Sequence, residues 1–318
     1  MNDNPNQSVA TQNGLVDGRN LILAVMVGVS TAAACGLGGF FLIRDDTGSM
    51  GGVLFLLLPL ITGFVTAIVA RHRNVLIASL IIGLLLCSTF LFAMGAEGLV
   101  CVIMSAPLIA VGLAVGALLG WLFRKSVIDK SNKSGTLTLI VFLVLPMFLM
   151  GANTAERASR RTPRAQTVTD SLIVNQSPEA VWNELKNMDS VTASKGFLMK
   201  IGLPVPVSCK TEGEGVGGKR TCYFESGYIE ERITEWNSPN SMKFEITASD
   251  IPGRPWLAFR DASYEIKREN DHTIITRSTT IVSRLSPAWY WRRLEAVGVH
   301  TEHRYLFEAV ENKLKTVK

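Results

Sequence analysis

The residues best suited to chemistry are few, and they lie in the C-terminal half of the chain. Glu231 alternates with Ile229 and Ile233 along a predicted strand, so an inward-facing strand carries its carboxylate into an apolar interior. A carboxylate in such a place is a candidate acid or an anchor for a ligand. The alternative is an ion pair on the sheet with an arginine such as Arg220 or Arg232.

Two histidines, His300 and His303, stand three positions apart on a predicted long helix, with Glu302 between them. One helix supplies only two of the ligands that a zinc site needs, and a histidine on an apolar helix is more often packed and hydrogen-bonded. We therefore predict no metal site. We place His300 at the lining of an interior ligand site, and with Glu231 it is the candidate catalytic residue of an enzyme.

Cys209 and Cys222 are equidistant from the centre of a predicted hairpin turn at residues 212–218. Antiparallel pairing sets such residues opposite each other, and a disulfide between them requires an oxidising compartment. The alternative is a pair of reduced cysteines packed in a sheet, because a slip of one residue in register separates them. The other three cysteines lie inside apolar runs: Cys35, Cys87 and Cys101.

Known catalytic signatures are missing from the sequence. It contains no GxSxG, HExxH or phosphate-loop motif and no GxGxxG that opens a helix, and we predict no cofactor. The formal net charge of +5 fits a nucleic-acid binder. Basic residues beside membrane spans explain much of that charge more simply, so we predict no nucleic-acid partner.

The N-terminal half is a series of uncharged apolar runs. Only eight of the 32 lysines and arginines precede Ala152. A helix needs about 20 mostly apolar residues to cross the hydrocarbon of a bilayer. Five runs approach that length, and they predict spans at about 20–43, 51–70, 75–94, 98–123 and 136–151. None contains a charged residue or a histidine, which argues against a pump or a secondary transporter.

The basic residues of the short loops predict orientation. Arg71 and Arg73 mark the second loop as cytoplasmic, and Arg124 and Lys125 mark the fourth. The N-terminus is then cytoplasmic, and five crossings place the C-terminal domain outside the cell, at the inner membrane of a bacterium. One group of basic residues contradicts this orientation, because basic residues that follow a span usually indicate the cytoplasmic side. These residues follow the fifth run: Arg157, Arg160, Arg161 and Arg164.

Glycines repeat every four residues in the fourth run, at Gly112, Gly116 and Gly120. Small residues on one face let two helices approach closely. The contact lies either within the bundle or between protomers, so a homo-oligomer through these glycines remains an open prediction.

Segment boundaries follow from the change in composition. Residues 1–19 read as a polar tail, 20–151 as the membrane region, 152–165 as a linker and 166–318 as a separate domain. The domain's pattern is a strand, a helix capped by Ser177 and Pro178, a short helix, about six strands and a long terminal helix. The predicted fold is thus a membrane helical bundle plus an α+β domain, in which a curved antiparallel sheet surrounds that helix.

Three phrases carry a resemblance to a known family: VNQSPEAVWNEL, GEGVGGKRTCYFESGYIEERITEW and SPAWYWRRLEAVGVHTEHRYLFEAV. They resemble the helix-grip superfamily of START domains, polyketide cyclases and Bet v 1-type proteins, above all its bacterial cyclase/dehydrase and lipid-transport branch. The resemblance covers about residues 166–315. It implies the fold and an apolar cavity rather than a shared catalytic set.

These observations favour a membrane-tethered module that binds a lipid or another apolar small molecule at the membrane surface. Two alternatives stay open: a membrane-bound cyclase or dehydrase, and a scaffold for a partner complex. Residues that would line the ligand site are mostly aromatic or apolar: Trp182, Cys222, Phe224, Ile229, Glu231, Trp256, Tyr264, Trp291 and His300.

Overall fold

The structure, a computed structural model, describes residues 5–43, 51–70, 72–94, 99–128, 134–159, 163–251 and 256–316, without the side chains of 5–20, 134–142 and 316. The chain forms two compact units. The helical unit comprises Met1–Asp45 and Met50–Arg161, and the sheet unit comprises Asp46–Ser49 and Thr162–Lys318.

The described part of the helical unit contains five α-helices. They are α1 (Pro5–Ile43), α2 (Leu58–Val69, preceded by a π-helical turn at Val53–Leu57), α3 (Arg73–Ala93), α4 (Leu99–Phe123, continued by a π-helical turn at Arg124–Ile128) and α5 (Ser134–Ser159). Helix α1 includes most of the predicted polar tail. Helix α5 continues to Ser159, well into the predicted linker, so few residues separate it from the sheet unit.

Three helices are long and apolar enough to cross a membrane, not the five predicted, among the residues that the structure describes. They are Leu21–Ile43, Arg73–Ala93 and Leu99–Ile128. The second predicted span is an apolar helix of Val53–Val69. At 1.5 Å per residue its 17 residues cover about 26 Å, less than the hydrocarbon thickness of about 30 Å. In the fifth, the described side chains are apolar only from Leu143 to Ala152 and polar beyond.

The glycine stripe of α4 packs against α2 of the same chain. A Cβ atom at Gly116 would lie 1.9 Å from the Leu60 carbonyl oxygen, and one at Gly120 would lie 2.4 Å from that of Phe64. From the other side, a Cβ at Gly63 would meet the Leu113 carbonyl oxygen at 2.3 Å. The two backbones are therefore too close for side chains. The prediction of a homo-oligomer through this stripe is wrong, because α2 already covers it.

Charged side chains satisfy backbone groups at both ends of the helical unit. The Glu156 carboxylate on α5 accepts hydrogen bonds from the amides of Gly52 (2.9 Å) and Val53 (3.0 Å), where the helix leading into α2 begins. Arg157 donates to the Ile43 carbonyl at the end of α1 (2.7 Å). These are backbone groups that a helix cannot satisfy internally. The polar end of α5 thus lies beside the end of α1 and the start of α2.

The described part of the sheet unit holds seven strands and three helices. In chain order they are β1 (Arg164–Val174), α6 (Pro178–Lys186), α7 (Phe197–Lys200), β2 (Pro206–Glu212), β3 (Lys219–Phe224), β4 (Gly227–Asn237), β5 (Ser241–Ser249), β6 (Leu257–Glu269), β7 (His272–Ser283) and α8 (Ala288–Thr316). Neighbouring strands are antiparallel, in the order β1-β7-β6-β5-β4-β3-β2.

The predicted antiparallel sheet and long C-terminal helix are confirmed, an arrangement like that of the helix-grip fold. Local signals act as expected. The Ser177 hydroxyl accepts from the Ala180 amide at the start of α6 (3.3 Å), and Pro178 occupies the first turn. The segment 192–203, for which the sequence predicts a short helix or an irregular apolar stretch, contains the single turn α7.

Alternate residues of each strand face the inside of the sheet. On β1 and β7 this face carries two apolar groups with a polar layer between them. The small apolar cluster contains Val168, Ile281 and Val299. The large apolar cluster includes Val174, Ile275 and Leu306 and extends to α6 and strands β2 to β6. The polar layer between the clusters holds Asp170, Arg277, Thr279 and His303.

Candidate functional site

A buried ion pair joins the middle of β3 to that of β4. Arg220 and Glu231 are cross-strand partners in the register, and the Arg220 Nη1 donates to Glu231 Oε2 at 3.0 Å. Their side chains are only 2% and 8% exposed. The Arg220 guanidinium also lies over the Phe244 ring, 4.6 Å from its centre. Both alternatives for Glu231 therefore apply at once, because the carboxylate points inward and is paired there with Arg220.

A second buried ion pair joins β7 to α8. The Arg277 Nη2 donates to the Glu302 carboxylate at 3.0 Å, and its Nη1 donates to the Tyr264 hydroxyl. The guanidinium lies over the Tyr264 ring, 4.9 Å from its centre. Burial raises the pKa of Glu302, and the charge of Arg277 opposes that rise only in part. Glu302 thus accepts a proton more readily than an ordinary glutamate.

We call Arg220, Glu231, Arg277 and Glu302 the charge cluster. The two pairs are close enough to feel each other, since the charges of Glu231 and Arg220 also contribute to the pKa of Glu302. Buried ion pairs contribute little net stability, because the loss of hydration offsets much of the attraction. Two such pairs inside one domain therefore call for a role other than stability.

Each arginine of the charge cluster has one hydrogen-bond donor, its Nε–H, that is not paired within the described part of the chain. The Nε atoms of Arg220 and Arg277 are buried and bond to none of the described residues, and the same holds for the indole nitrogen of Trp256. Buried donors are normally paired. An unpaired one costs about 1–3 kcal/mol, so the two Nε atoms of the charge cluster indicate that a polar group is expected beside them.

The polar layer is completed by Asp170 on β1, which binds both histidines of α8. Its carboxylate accepts from the Nδ1 atoms of His300 and His303, each at 2.7 Å. Burial alone would raise the pKa of Asp170, but these histidine contacts outweigh it and lower the pKa. Burial, aided by the nearby Arg277 charge, lowers the pKa of His303 to about 3. His303 is therefore neutral at pH 7, and its Nε2 accepts from the Thr279 hydroxyl at 2.8 Å.

Asp170, His303 and Thr279 have the order of groups found in a catalytic triad. The side chain of His303 is 0% exposed and Thr279 is 3% exposed, so a substrate bond cannot reach the hydroxyl in this conformation. The arrangement serves to satisfy buried polar groups. Among the described residues, no group of three or more His, Cys, Asp or Glu side chains is arranged to hold a metal ion.

A disulfide joins Cys209 on β2 to Cys222 on β3, and the two residues are register partners. It attaches the edge strand β2 beside the charge cluster, since the Cys222 sulfur lies 3.9 Å from Glu231 Oε2. The hairpin symmetry in the sequence pointed to this pair.

No protein-family model matches the chain, and no curated protein matches it. It is similar in structure to a protein of Thermus thermophilus (16% identity over 48% of this chain and 99% of that one, TM-score 0.35). It is also similar to Ara h 8.0201 (12%, 48% and 99%, TM-score 0.34). A third is norcoclaurine synthase from Thalictrum flavum, solved with dopamine and hydroxybenzaldehyde (13%, 51% and 92%, TM-score 0.34). At such identities and TM-scores, these similarities assign neither ligand nor activity.

The structure brings some of the predicted ligand-site residues together and separates others. Inner positions of the sheet carry Cys222, Phe224, Ile229, Glu231 and Tyr264. Trp182 packs in the large apolar cluster, with its ring 4.8 Å from that of Trp236. Three residues lie elsewhere: Trp256 in the turn before β6, Trp291 beside Tyr290 in the first turns of α8, and His300 at Asp170 with 42% of its side chain exposed.

Sequence reasoning missed Arg277, and it named Glu302 only as a neighbour of the two histidines; together these residues form half of the charge cluster. A signal for Arg277 exists, because it interrupts the alternation of Ile275, Thr279 and Ile281 on a strand otherwise apolar or neutral on that face. Glu302 carries no comparable signal, since a glutamate between helical apolar residues usually faces solvent.

Proposed function

We propose that this protein is a membrane-anchored binding protein whose sheet unit holds a lipid or another apolar small molecule at the membrane surface. The observation that carries the proposal is the pair of buried Nε atoms in the charge cluster, which have no partner among the described residues and lie beside the large apolar cluster. A bound molecule with a polar group supplies the missing acceptor and covers apolar surface. The three helices long enough to span a bilayer supply the anchor.

An enzyme acting through Glu231 or His300 has less support. The Glu231 carboxylate bonds to Arg220 and the His300 ring bonds to Asp170 through Nδ1, so the two candidate residues have different partners and do not form one hydrogen-bonded site. Self-assembly through the α4 glycines loses its basis because α2 covers them.

We further propose that the sheet unit lies outside the cytoplasm. Arg124 on the π-helical turn after α4 donates to the Ala70 carbonyl at the end of α2 (2.9 Å), and α3 begins nearby in sequence at Arg73. This end of the helical unit is basic and thus cytoplasmic by the positive-inside rule. The end of α5 lies at the opposite end, where Arg157 bonds to Ile43. The disulfide also favours an oxidising compartment.

The binding proposal is tested on full-length protein purified from its own membranes and exchanged into nanodiscs of a single defined phospholipid. Mass spectrometry of the native particle should find about one further small molecule per chain, which extraction removes and a long-chain amphiphile restores. Protein that carries no such molecule and takes up none after extraction rules out a binding function.

The proposed side is tested by labelling with a membrane-impermeant maleimide. Val216, at the tip of the β2–β3 hairpin, is 71% exposed, so Val216→Cys should react in intact cells. The matched control Lys125→Cys, at the basic end of the helical unit, should react only in inverted vesicles. The reverse pattern places the sheet unit in the cytoplasm.

A further inference from the structure

The two arginines of the charge cluster differ in how firmly they are held. Arg220 and Glu231 are 2% and 8% exposed, whereas Arg277 and Glu302 are 11% and 17% exposed. Both arginines have a buried Nε atom that bonds to none of the described residues. The Arg277–Glu302 pair is thus the more accessible half, and it still has a donor to offer.

We propose that Arg277 binds the anionic head of an amphiphilic ligand, a carboxylate or a phosphate monoester, with Arg220 as a second, deeper positive charge. This inference rests on the proposed binding function and names the ligand's head group. A guanidinium presents its donors in a planar fork that matches the oxygens of either anion. Nε and Nη2 of Arg277 together form such a fork once Glu302 no longer accepts the hydrogen bond from Nη2.

Glu302 is suited to release Arg277 when a ligand binds. Burial raises its pKa, so it takes up a proton more readily than an ordinary glutamate. A protonated Glu302 leaves Arg277 to the ligand, and the incoming negative charge favours that protonation further. Glu231 remains with Arg220, its register partner on the next strand, because that pair is more deeply buried.

The apolar chain of the ligand has neighbours of the right kind. The Tyr264 ring beneath Arg277 and the Phe244 ring beneath Arg220 both belong to the large apolar cluster. So does Ile275, two residues from Arg277 along the inner face of β7. An anionic head at Arg277 therefore directs a hydrocarbon chain toward this cluster, which also contains Trp182.

The test compares three ligands that share one brominated chain: 9,10-dibromostearate, the corresponding stearyl phosphate and the stearyl alcohol. Bromine quenches tryptophan on contact, and five of the six tryptophans lie in the sheet unit. Full-length protein in nanodiscs, with Trp121→Phe to remove the remaining one, is titrated with each. We expect at least one of the two anions to bind about 10-fold or more tightly than the alcohol, because hydrogen bonds to charged groups are strong.

Variants separate recognition of charge from a structural effect. Glu302→Gln removes the competing carboxylate and should strengthen binding of the preferred anion several-fold. The double variant Arg277→Gln with Glu302→Gln leaves no buried charge unpaired, and it should lose most of the preference for that anion over the alcohol, because only the deeper Arg220 remains. Arg232→Gln, which loses an exposed partner in Glu245, is the matched control and should keep the wild-type preference.

Equal affinity of the wild-type protein for all three ligands overturns the proposal of an anionic head group. It leaves the proposed binding function in place. Weaker anion binding in Glu302→Gln also overturns it, because the carboxylate is then structural rather than a competitor. Failure of all three ligands to quench overturns the anionic head group, whereas the binding function falls only if the native particle also carries no small molecule.

Discussion

In the helical unit, the charged side chains with described hydrogen bonds to the backbone lie at helix ends. In the sheet unit, charged side chains also lie in the interior, among them the four of the charge cluster. Glu156, Arg157 and Arg124 complete the backbone bonding of helix termini. Arg277 and Glu302, by contrast, face each other between a strand and a helix. The first arrangement is what a stable bundle needs.

This difference is the reason why we propose a binding function for the sheet unit. Close glycine packing between α2 and α4 makes the helical unit a compact anchor, and its described interior offers small and apolar side chains. The sheet unit places costly groups where apolar ones would pack as well. A domain under selection for stability alone gains nothing from this arrangement, so we attribute it to a ligand.

The largest expected effect comes from breaking the buried pair of the sheet unit. Arg220→Met leaves the Glu231 carboxylate buried without its partner, which should cost about 3–5 kcal/mol in the free energy of unfolding. Urea unfolding followed by tryptophan fluorescence measures it. Arg232→Met, at an exposed pair, should cost less than about 1 kcal/mol. Equal losses in the two variants contradict the account.

Removing the disulfide should have the second-largest effect on stability. Cys209→Ala with Cys222→Ala opens a loop with a sequence separation of 13, and the sheet unit should lose about 3 kcal/mol. Dithiothreitol serves as the control, because it should destabilise the wild type and leave the double variant unchanged. A wild type indifferent to reductant indicates that the two thiols are not joined in the cell.

The stability of the helical unit should depend on side-chain volume at the α2–α4 contact rather than on charge. Gly116→Ala places a methyl group 1.9 Å from the Leu60 carbonyl oxygen, so α2 and α4 must separate, at a cost of about 2 kcal/mol. Gly38→Ala, where nothing lies within 4 Å, is the matched control and should be neutral or slightly stabilising. Unfolding in mixed micelles of increasing SDS content measures both, and similar behaviour of the two argues against the α2–α4 contact.

Acidification should weaken only the sheet unit, by a smaller amount. The pKa of His303 is about 3 in the folded state against 6.5 normally, so the unfolded chain binds more protons between these values and stability falls as the pH falls. From pH 7 to 5.5 the contribution of His303 to this loss should be about 1 kcal/mol, and the raised pKa of Glu302 acts in the opposite direction. His303→Gln should remove this part of the pH dependence, measured by urea unfolding at both pH values. An unchanged slope shows that His303 is not buried neutral.

The sequence allowed the sheet unit to be predicted in some detail, because its signals are local. Ser177 and Pro178 mark a helix start through their own backbone chemistry, and the symmetric positions of Cys209 and Cys222 follow from one hairpin. Alternation also put Glu231 on the same strand face as Ile229 and Ile233, but it left open whether that face is the inner one. Each of these inferences needs only residues close together in the chain.

The missed features depend on partners far apart in sequence. Arg277 and Glu302 are 25 residues apart and meet only because α8 lies across the sheet. The glycines of α4 form a flat face, but no local signal in the sequence indicates that α2, with Gly63, packs against it. The number of spans was overestimated for a related reason, since composition alone does not distinguish a helix packed among others from one that crosses a bilayer.

The central claim is that the sheet unit, through its charge cluster, binds an amphiphile while the helical unit anchors it. Photo-crosslinking with a diazirine-bearing hexadecanoate, followed by peptide mapping of full-length protein in nanodiscs, tests this claim most directly. The account predicts adducts on β6, β7 and α8 that disappear when Arg277→Gln is combined with Glu302→Gln and persist in Arg232→Gln. Adducts confined to Leu21–Ile43, Arg73–Ala93 and Leu99–Ile128 would contradict it.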